Sequence, residues 1–338
     1  MHYLVTGHTG FKGAWLTLLL RQMGHEVSGI SLDPLPGSLF EIANVAADMK
    51  HDFRTDIRDF DELKKNIEAI NPDVLIHLAA QPLVRQSYFD PRETFESNFN
   101  GTLNVLEASQ NLDNLKARLI ITTDKVYRNV NQEAGYVESD PLGGEDPYSS
   151  SKAAADLLTQ SWVHSFPAMP TAIARAGNVI GGGDVSPNRL IPDIVTSFLN
   201  EQPIQVRYPS AVRPWQHVLD CLNGYLALVE KLLVNDGLGE WNFGPGVESF
   251  VTVGKVITDA AAIWGTEVEV ELQTENVLPE AGLLALDSTK ALTSLDWKNK
   301  LVYPHSLEWT LAWDKALSEG SDAREITLAQ ITSFRSLS

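Results

Sequence analysis

The chain is poor in cysteine, in positive charge and in long apolar runs. A single thiol, Cys221, in 338 residues excludes an internal disulfide and any metal site built on cysteine clusters, and it fits a reducing compartment. The eight histidines include no His-x-x-x-His pair, so the spacing that puts two imidazoles on one helix face for a metal is missing. Lys and Arg number 26 against 44 Asp and Glu, a net charge of −18, with a pI near 4.8. Such a surface repels nucleic acid and anionic membrane, and an anionic substrate would need its own basic pocket. No run of eighteen apolar residues and no charged, cleavable leader appears; a cytoplasmic protein is expected, with neither membrane nor nucleic acid as a partner. At 43% hydrophobic and 21% charged, the chain can bury a substantial core and should form about two domains.

What the chain does have is a set of strand–turn–helix patterns. Met1 to Thr6 is β-like and runs into Gly7-His8-Thr9-Gly10-Phe11-Lys12-Gly13 and then a helical stretch from Ala14 to Leu20. In the dinucleotide arrangement Gly7 permits the tight turn, Gly10 lets backbone approach a pyrophosphate, and Gly13 allows close helix–strand packing. Lys12, a cation in a first helical turn, makes better sense if it shares an anion there. The second strand, Glu26 to Ile30, ends at Ser31-Leu32-Asp33, where a carboxylate would bind an adenosine ribose. No arginine cluster suggests a 2′-phosphate, so NAD is expected over NADP. Phe53 to Ile57 reads as the third strand with Asp56-Ile57 at its end, and Asp61 to Ile70 as an amphipathic helix. Asp56 is expected either to contact adenine or to cap that helix.

Asp73 to Gln81 is a near-continuous apolar run that turns small at Ala79-Ala80, as a buried parallel strand would beneath a cofactor. Thr94 to Leu112, which carries Asn98, reads as one long helix, and Tyr148 to Val163 as another; both are candidate faces of a homodimer or larger homo-oligomer, with internal packing the alternative. The alternation of strands and helices through residue 178 implies an α/β fold of Rossmann type, a doubly wound parallel sheet. It breaks at Gly181-Gly182-Gly183-Asp184. His217 to Leu233 reads as a helix and Glu240 to Gly244 as a strand. The expected division is therefore an NAD-binding unit of residues 1–178 and 215–245 and a smaller, mixed α/β substrate unit of residues 179–214 and 246–338. Cys221 reads as a small core residue, and Trp309 and Trp313 as packing.

The chemistry is expected between Leu119 and Lys152. An apolar strand leads into Thr123-Asp124-Lys125, and Tyr148 and Lys152 fall one turn apart on a helix that opens at Pro147. A cation roughly 4 Å from a phenol interacts by about 4 kcal/mol at an effective dielectric near 20, enough to draw the phenol pKa from about 10 toward neutrality. Arg189 and Arg213, in loop-like segments of an acidic chain, suit a diphosphate because a guanidinium fork binds two oxygens.

These stretches together resemble the extended short-chain dehydrogenase/reductases and, within them, the nucleotide-sugar 4,6-dehydratases. The resemblance rests on Thr6 to Gly13, His77 to Arg85, Thr123 to Tyr127, Ala174 to Asp184 and Arg213 to Val218. Lys125 points to the group that acts on CDP-D-glucose, since the dTDP-glucose and GDP-mannose groups carry Glu there. Val185, and Pro279 in Leu278-Pro279-Glu280-Ala281, depart from the usual Trp and His. The resemblance implies a nucleotide-diphosphate hexose as substrate, with Thr123, Tyr148 and Lys152 running redox at the sugar C4 and Asp124 and Lys125 serving the elimination. Asn178, Arg189 and Arg213, with Arg85 and His217 from the matching stretches, are expected to hold substrate. NAD is expected on Gly7, Thr9, Gly10, Phe11, Lys12, Gly13, Ser31, Asp33, Asp56, Ile57, Ala79, Ala80, Gln81 and Asn98, and beside Tyr148 and Lys152. A sugar-nucleotide 4-epimerase would need the same redox residues but no acid for water loss, and an NAD-binding regulator would need neither Tyr148 nor Lys152.

Overall fold

The computed structural model describes residues 1–132, 134–273 and 283–337; Pro279 lies outside them. Seven strands form the main sheet: β1 (His2–Thr6), β2 (Glu26–Ser31), β3 (His51–Arg54), β4 (Val74–His77), β5 (Ala117–Ile121), β6 (Thr171–Ala176) and β7 (Gly239–Phe243). Their order is β7-β6-β5-β4-β1-β2-β3, and every pairing is parallel. Helical crossovers cover both faces of such a sheet, so β4, β5 and β6 are buried end to end and read as continuous apolar runs instead of alternating ones. The strand order reverses between β1 and β4, which opens a crevice beyond their carboxyl ends.

The longer helices are α1 (Phe11–Gln22), α2 (Phe60–Ile70), α3 (Gly101–Ala108), α4 (Pro147–Ser165), α5 (Leu190–Asn200), α6 (Val218–Leu232), α7 (Val253–Trp264), α8 (His305–Ser318) and α9 (Ala323–Ser336). Their termini follow local chemistry. The Asp59 carboxylate accepts the Glu62 N–H at the start of α2, Asp146 does the same for Ser149 at the start of α4, and Asp322 for Glu325 at the start of α9; each such cap contributes about 1 kcal/mol.

Two elements differ from expectation. The third strand ends at Arg54, whose partner is Ser31 at the last residue of β2, so Asp56 and Ile57 lie in the loop beyond it. The helix expected over Thr94 to Leu112 is three pieces: Pro91–Phe95, a π-helical turn at Glu96–Asn100, and α3. The wider turn sits where buried Asn98 leaves its own helix to bond elsewhere: its Oδ1 accepts the Gln81 N–H at 2.8 Å and its Nδ2 donates to the Gln81 carbonyl at 3.1 Å.

The main core fills one face of this sheet, through Tyr3 and Val5 of β1 and Val74 and Ile76 of β4, with Trp15, Trp241, Trp297 and Trp313 among its buried side chains; Leu4 and Leu75 turn to the other face and pack with Leu63 and Ile67 of α2 and Val105 of α3. Cys221 is fully buried there. A second cluster gathers Ile191 and Ile194 of α5, Val256 and Ile257 of α7, Leu307 and Leu311 of α8, Ile204 and Val251 from short strands, and Trp215 between two of them. The last helix turns back, placing Ile331 and Phe334 in the first core. Gly181-Gly182-Gly183 crosses between the two clusters under Trp15, whose indole N–H donates to the Gly182 carbonyl at 3.0 Å. A Cβ on Gly182 would lie 2.1 Å from the Trp313 ring. Among the described residues no helix is long and apolar enough to cross a membrane.

Gly13, on the same helix as Trp15, carries a similar constraint. A Cβ there would meet the Gly7 carbonyl oxygen at 2.2 Å, and backbone cannot swing away as a side chain would. Gly13→Ala should cost about 2–3 kcal/mol or more. Thermal or urea unfolding would measure it, and a wild-type midpoint would contradict the close approach of α1 to the glycine turn.

Candidate active site

At the crevice, Gly7 adopts a φ of +75° and a Cβ on it would lie 2.7 Å from the Ala79 nitrogen, so the turn is pressed against the end of β4. α1 starts at Gly10 with no side-chain cap; its first-turn N–H groups, which side chains usually satisfy, remain for an anion. A Cβ on Gly10 would meet only the Gly7 oxygen, at 3.4 Å, which leaves that wall open for close approach. Thr9 and Ser31 bond each other through their hydroxyls at 2.7 Å. These features fit a dinucleotide. Asp33 is exposed, and Arg54, absent from the expected set, stands 3.8 Å from it and 2.8 Å from Asp52. Nothing in linear spacing marks Arg54; the β2–β3 register brings it there. The Asp56 carboxylate accepts hydrogen bonds from Arg58, so it is engaged locally and caps no helix. Lys12 is half-buried and turns toward α6, its ammonium 3.3 Å from the Tyr225 hydroxyl. Burial lowers its pKa.

β5 delivers Thr123, Asp124 and Lys125 to the neighbouring part of the crevice, and α4 delivers Tyr148 and Lys152. Thr123 donates to Asp124 Oδ1 at 2.9 Å, and the Lys125 ammonium lies 3.5 Å from the same oxygen. Asp124 is buried, and room for it comes from Gly177, where a Cβ would lie 2.9 Å from Oδ2. Lys152 is also buried and donates to the Ile121 carbonyl, the last of β5, at 2.8 Å. That changes the electrostatics expected of the pair. Burial pushes the Tyr148 phenol up to about 12, opposed by a hydrogen bond with Thr123 and by the charge of Arg189. Burial brings the Lys152 ammonium down to about 8, and Lys12 adds to the fall. The chain's own groups therefore raise the phenol, where a cation at about 4 Å was expected to lower it: burial outweighs the Thr123 bond and the Arg189 charge, and the Lys152 ammonium is given to the Ile121 carbonyl.

A cleft of about 880 Å³ opens in front of Thr123, Asp124, Lys125 and Tyr148 and is walled by Arg85, Asn178, Arg189 and Arg213. Arg189 faces Asp184 at 3.6 Å, and Arg85 donates to Asn188 at 3.2 Å. His217 is not in this wall. It is fully buried, accepts the Leu219 N–H as the cap of α6, and packs edge-on to Trp15 and Trp309. Burial lowers its pKa to about 3, so it is a neutral structural cap and the expectation of a substrate contact is corrected.

The profile of the GDP-mannose 4,6 dehydratase family matches residues 4–308. The chain is also 42% identical, over 98% of its length and 95% of the relative's, to the CDP-glucose 4,6-dehydratase of Salmonella typhimurium. The chain belongs to the nucleotide-sugar 4,6-dehydratases. Solved folds agree. A UDP-glucuronic acid 4-epimerase from Bacillus cereus, in complex with UDP-glucuronic acid and NAD, superposes with a TM-score of 0.82 at 25% identity, covering 94% of this chain and 100% of that one. A dTDP-glucose 4,6-dehydratase double mutant from Streptomyces venezuelae gives 0.80 at 24%, covering 93% and 97%.

Behind this dehydratase site lies a buried network that linear reading missed. Arg175 of β6 donates to both oxygens of Asp156 of α4, at 2.8 and 2.7 Å, and to the Tyr127 hydroxyl at 2.8 Å. Thr122 donates to Asp156 at 2.9 Å, and Tyr127 to Asn242 of β7 at 2.8 Å. Asp156 is one turn past Lys152, but its partner is nineteen residues on, so only the fold reveals the pair.

The position of Lys152 makes a stability prediction. The unfolded chain holds this proton to about 10.5 and the folded one releases it near 8, so folding expels a proton between those values and stability rises with pH across them. Lys152→Met should therefore be more stable than wild type at pH 7 by on the order of 2 kcal/mol, after allowing for the lost bond to Ile121. That advantage should fade between about pH 8 and pH 10.5. Melting curves of both proteins at several pH values measure it, and a difference that does not change with pH would contradict the lowered pKa.

Proposed function

We propose that the protein dehydrates a nucleotide-diphosphate glucose to the 4-keto-6-deoxy sugar nucleotide, with CDP-D-glucose as the substrate. The observation that carries this reading is the meeting of two residue sets at one cleft: Tyr148, one turn from buried Lys152 and suited to redox at a secondary alcohol, and Asp124 with Lys125, suited to water loss. NAD is the cofactor, held by the glycine turn, the uncapped start of α1, Ser31 and Ala79. When bound it takes the C4 hydrogen and returns it at C6, without net consumption. Asp33 and Asp52 flank Arg54; their charge disfavours a 2′-phosphate there and so supports NAD over NADP.

In this mechanism Tyr148 removes the 4-hydroxyl proton while Thr123 hydrogen-bonds the forming carbonyl. The 4-ketone makes the C5 hydrogen acidic. Lys125, starting neutral, takes or organises that proton, and Asp124, starting protonated, delivers one to the departing 6-hydroxyl; passage of a proton from the Lys125 ammonium to the Asp124 carboxylate, 3.5 Å away, then restores both. That Asp124 is buried, accepts from Thr123 and lies beside Lys125 supports this division of roles. Arg189 and Arg213 hold the diphosphate, with Arg85 and Asn178 on the same wall. A 4-epimerase uses the same redox residues, and Asp124 with Lys125 is what favours dehydration. The proposal assigns NAD to residues 1–178 and 215–245 and the nucleotide sugar to residues 179–214 and 246–338, with α9 serving the first unit by its packing. It also places the protein in the cytoplasm as a homodimer through the faces that leave Phe95 and Leu157 exposed.

Incubation with CDP-glucose should give a product lighter by one water, with a higher kcat/KM than for dTDP-glucose or GDP-mannose; an epimer of unchanged mass would overturn the reading. Asp124→Asn separates the two halves of the chemistry. It should lower product formation by about 10²–10⁴-fold yet still oxidise C4. Quenching that variant with borodeuteride should place label at C4 of a hexose that retains its 6-hydroxyl. Recovery of unlabelled glucose alone would count against Asp124 as the acid.

A further inference from the structure

Beyond the reacting end, the substrate cleft runs along α5 toward Gln202, Gln205 and Arg207. Arg189 caps α5 and Asp193 follows one turn later, its N–H donating to the Arg189 carbonyl at 3.1 Å. At 1.5 Å per residue, Asp193 stands about 6 Å beyond Arg189 along the helix axis. If Arg189 holds the diphosphate, Asp193 is at the level of the nucleoside.

Its charge is unusual there. The other aspartates of the cleft are engaged: Asp124 with Thr123 and Lys125, Asp146 with Ser149, Asp184 with Arg189. The Asp193 carboxylate has no hydrogen bond or ion pair among the described residues, although it lines the cleft. Partial burial raises its pKa and the charge of Arg207 opposes the rise. A carboxylate facing an anionic ligand repels it unless the ligand offers hydrogen-bond donors. Among pyrimidines, cytosine presents an amino group at position 4 where uracil and thymine present a carbonyl, and an aspartate accepts from the former and repels the latter.

We propose that Asp193 reads the base, selecting cytosine over uracil and thymine. This rests on the cleft being a nucleotide-sugar site and deepens that reading by assigning the base preference to one residue. Asp193 is exposed on the cleft wall, so substituting it removes no core contact.

The test is calorimetric titration of the full chain with CDP and with UDP, whose bases differ at the 4-amino group and the adjoining ring nitrogen. Wild type should bind CDP at least tenfold tighter than UDP. In Asp193→Asn, whose carboxamide can turn its own amino group toward a carbonyl, the ratio should fall to within about threefold through weaker CDP and equal or stronger UDP binding. Asp193→Ala should weaken CDP and, by removing the repulsion, leave UDP binding equal or modestly stronger. A wild-type ratio within threefold, no binding of either nucleotide, or an unchanged ratio in Asp193→Asn would overturn the proposal. Because no turnover is read, a protein that fails to dehydrate CDP-glucose yet separates CDP from UDP through Asp193 would sink the dehydratase reading and keep this one.

Discussion

The ion pair between Arg175 and Asp156 holds the catalytic end of the sheet together. Both side chains are fully buried, so neither charge has water to fall back on, and removing one partner typically costs about 3–5 kcal/mol. The pair is satisfied on every side: two oxygens of Asp156 face two nitrogens of Arg175, and Thr122 and Gln160 donate to the remaining lone pairs. Through it β6, α4 and the end of β5 are fixed relative to one another. Those are the elements that carry Asn178, Tyr148 with Lys152, and Thr123 with Asp124. Tyr127 and Asn242 extend the network to β7, which joins the sheet by parallel pairing with β6.

On this frame the site accumulates unfavourable electrostatics. Lys12 and Lys152 are two cations whose charged forms burial disfavours, each also lowered by a neighbouring positive charge, and Tyr148 sits in surroundings that oppose its ionisation. Surroundings that resist a tyrosinate in the free chain leave its ionisation to charge that arrives with the ligands, and so couple deprotonation to binding. Asp124 is placed differently. Its carboxyl accepts from the Thr123 hydroxyl and faces the Lys125 ammonium, and Thr123 also bonds Tyr148, so the two residue sets meet at Thr123.

Much of this was legible in the sequence, for identifiable reasons. The glycine turn, the apolar parallel strands and the Tyr148–Lys152 spacing are local patterns, and local patterns survive in one dimension. The long helix over Thr94 to Leu112 was misread because its periodicity is helical on both sides of the π turn; only the demand of Asn98 for the Gln81 backbone shows why the ladder shifts. His217 stands in a stretch that also carries Arg213, but a change from short strand to helix turns its ring inward. Arg54 and Arg175 needed strand register and helix packing to find their partners, and spacing gives neither.

The central claim is that oxidation at C4 and reduction at C6 are one internal transfer, carried out by a site that also removes water between them. Single turnover of C4-deuterated CDP-glucose in ordinary water, with the product analysed by NMR, tests it directly. The account predicts that deuterium appears at C6 of the 4-keto-6-deoxy product and solvent hydrogen at C5. Loss of the deuterium to solvent, or its retention at C4, would contradict it.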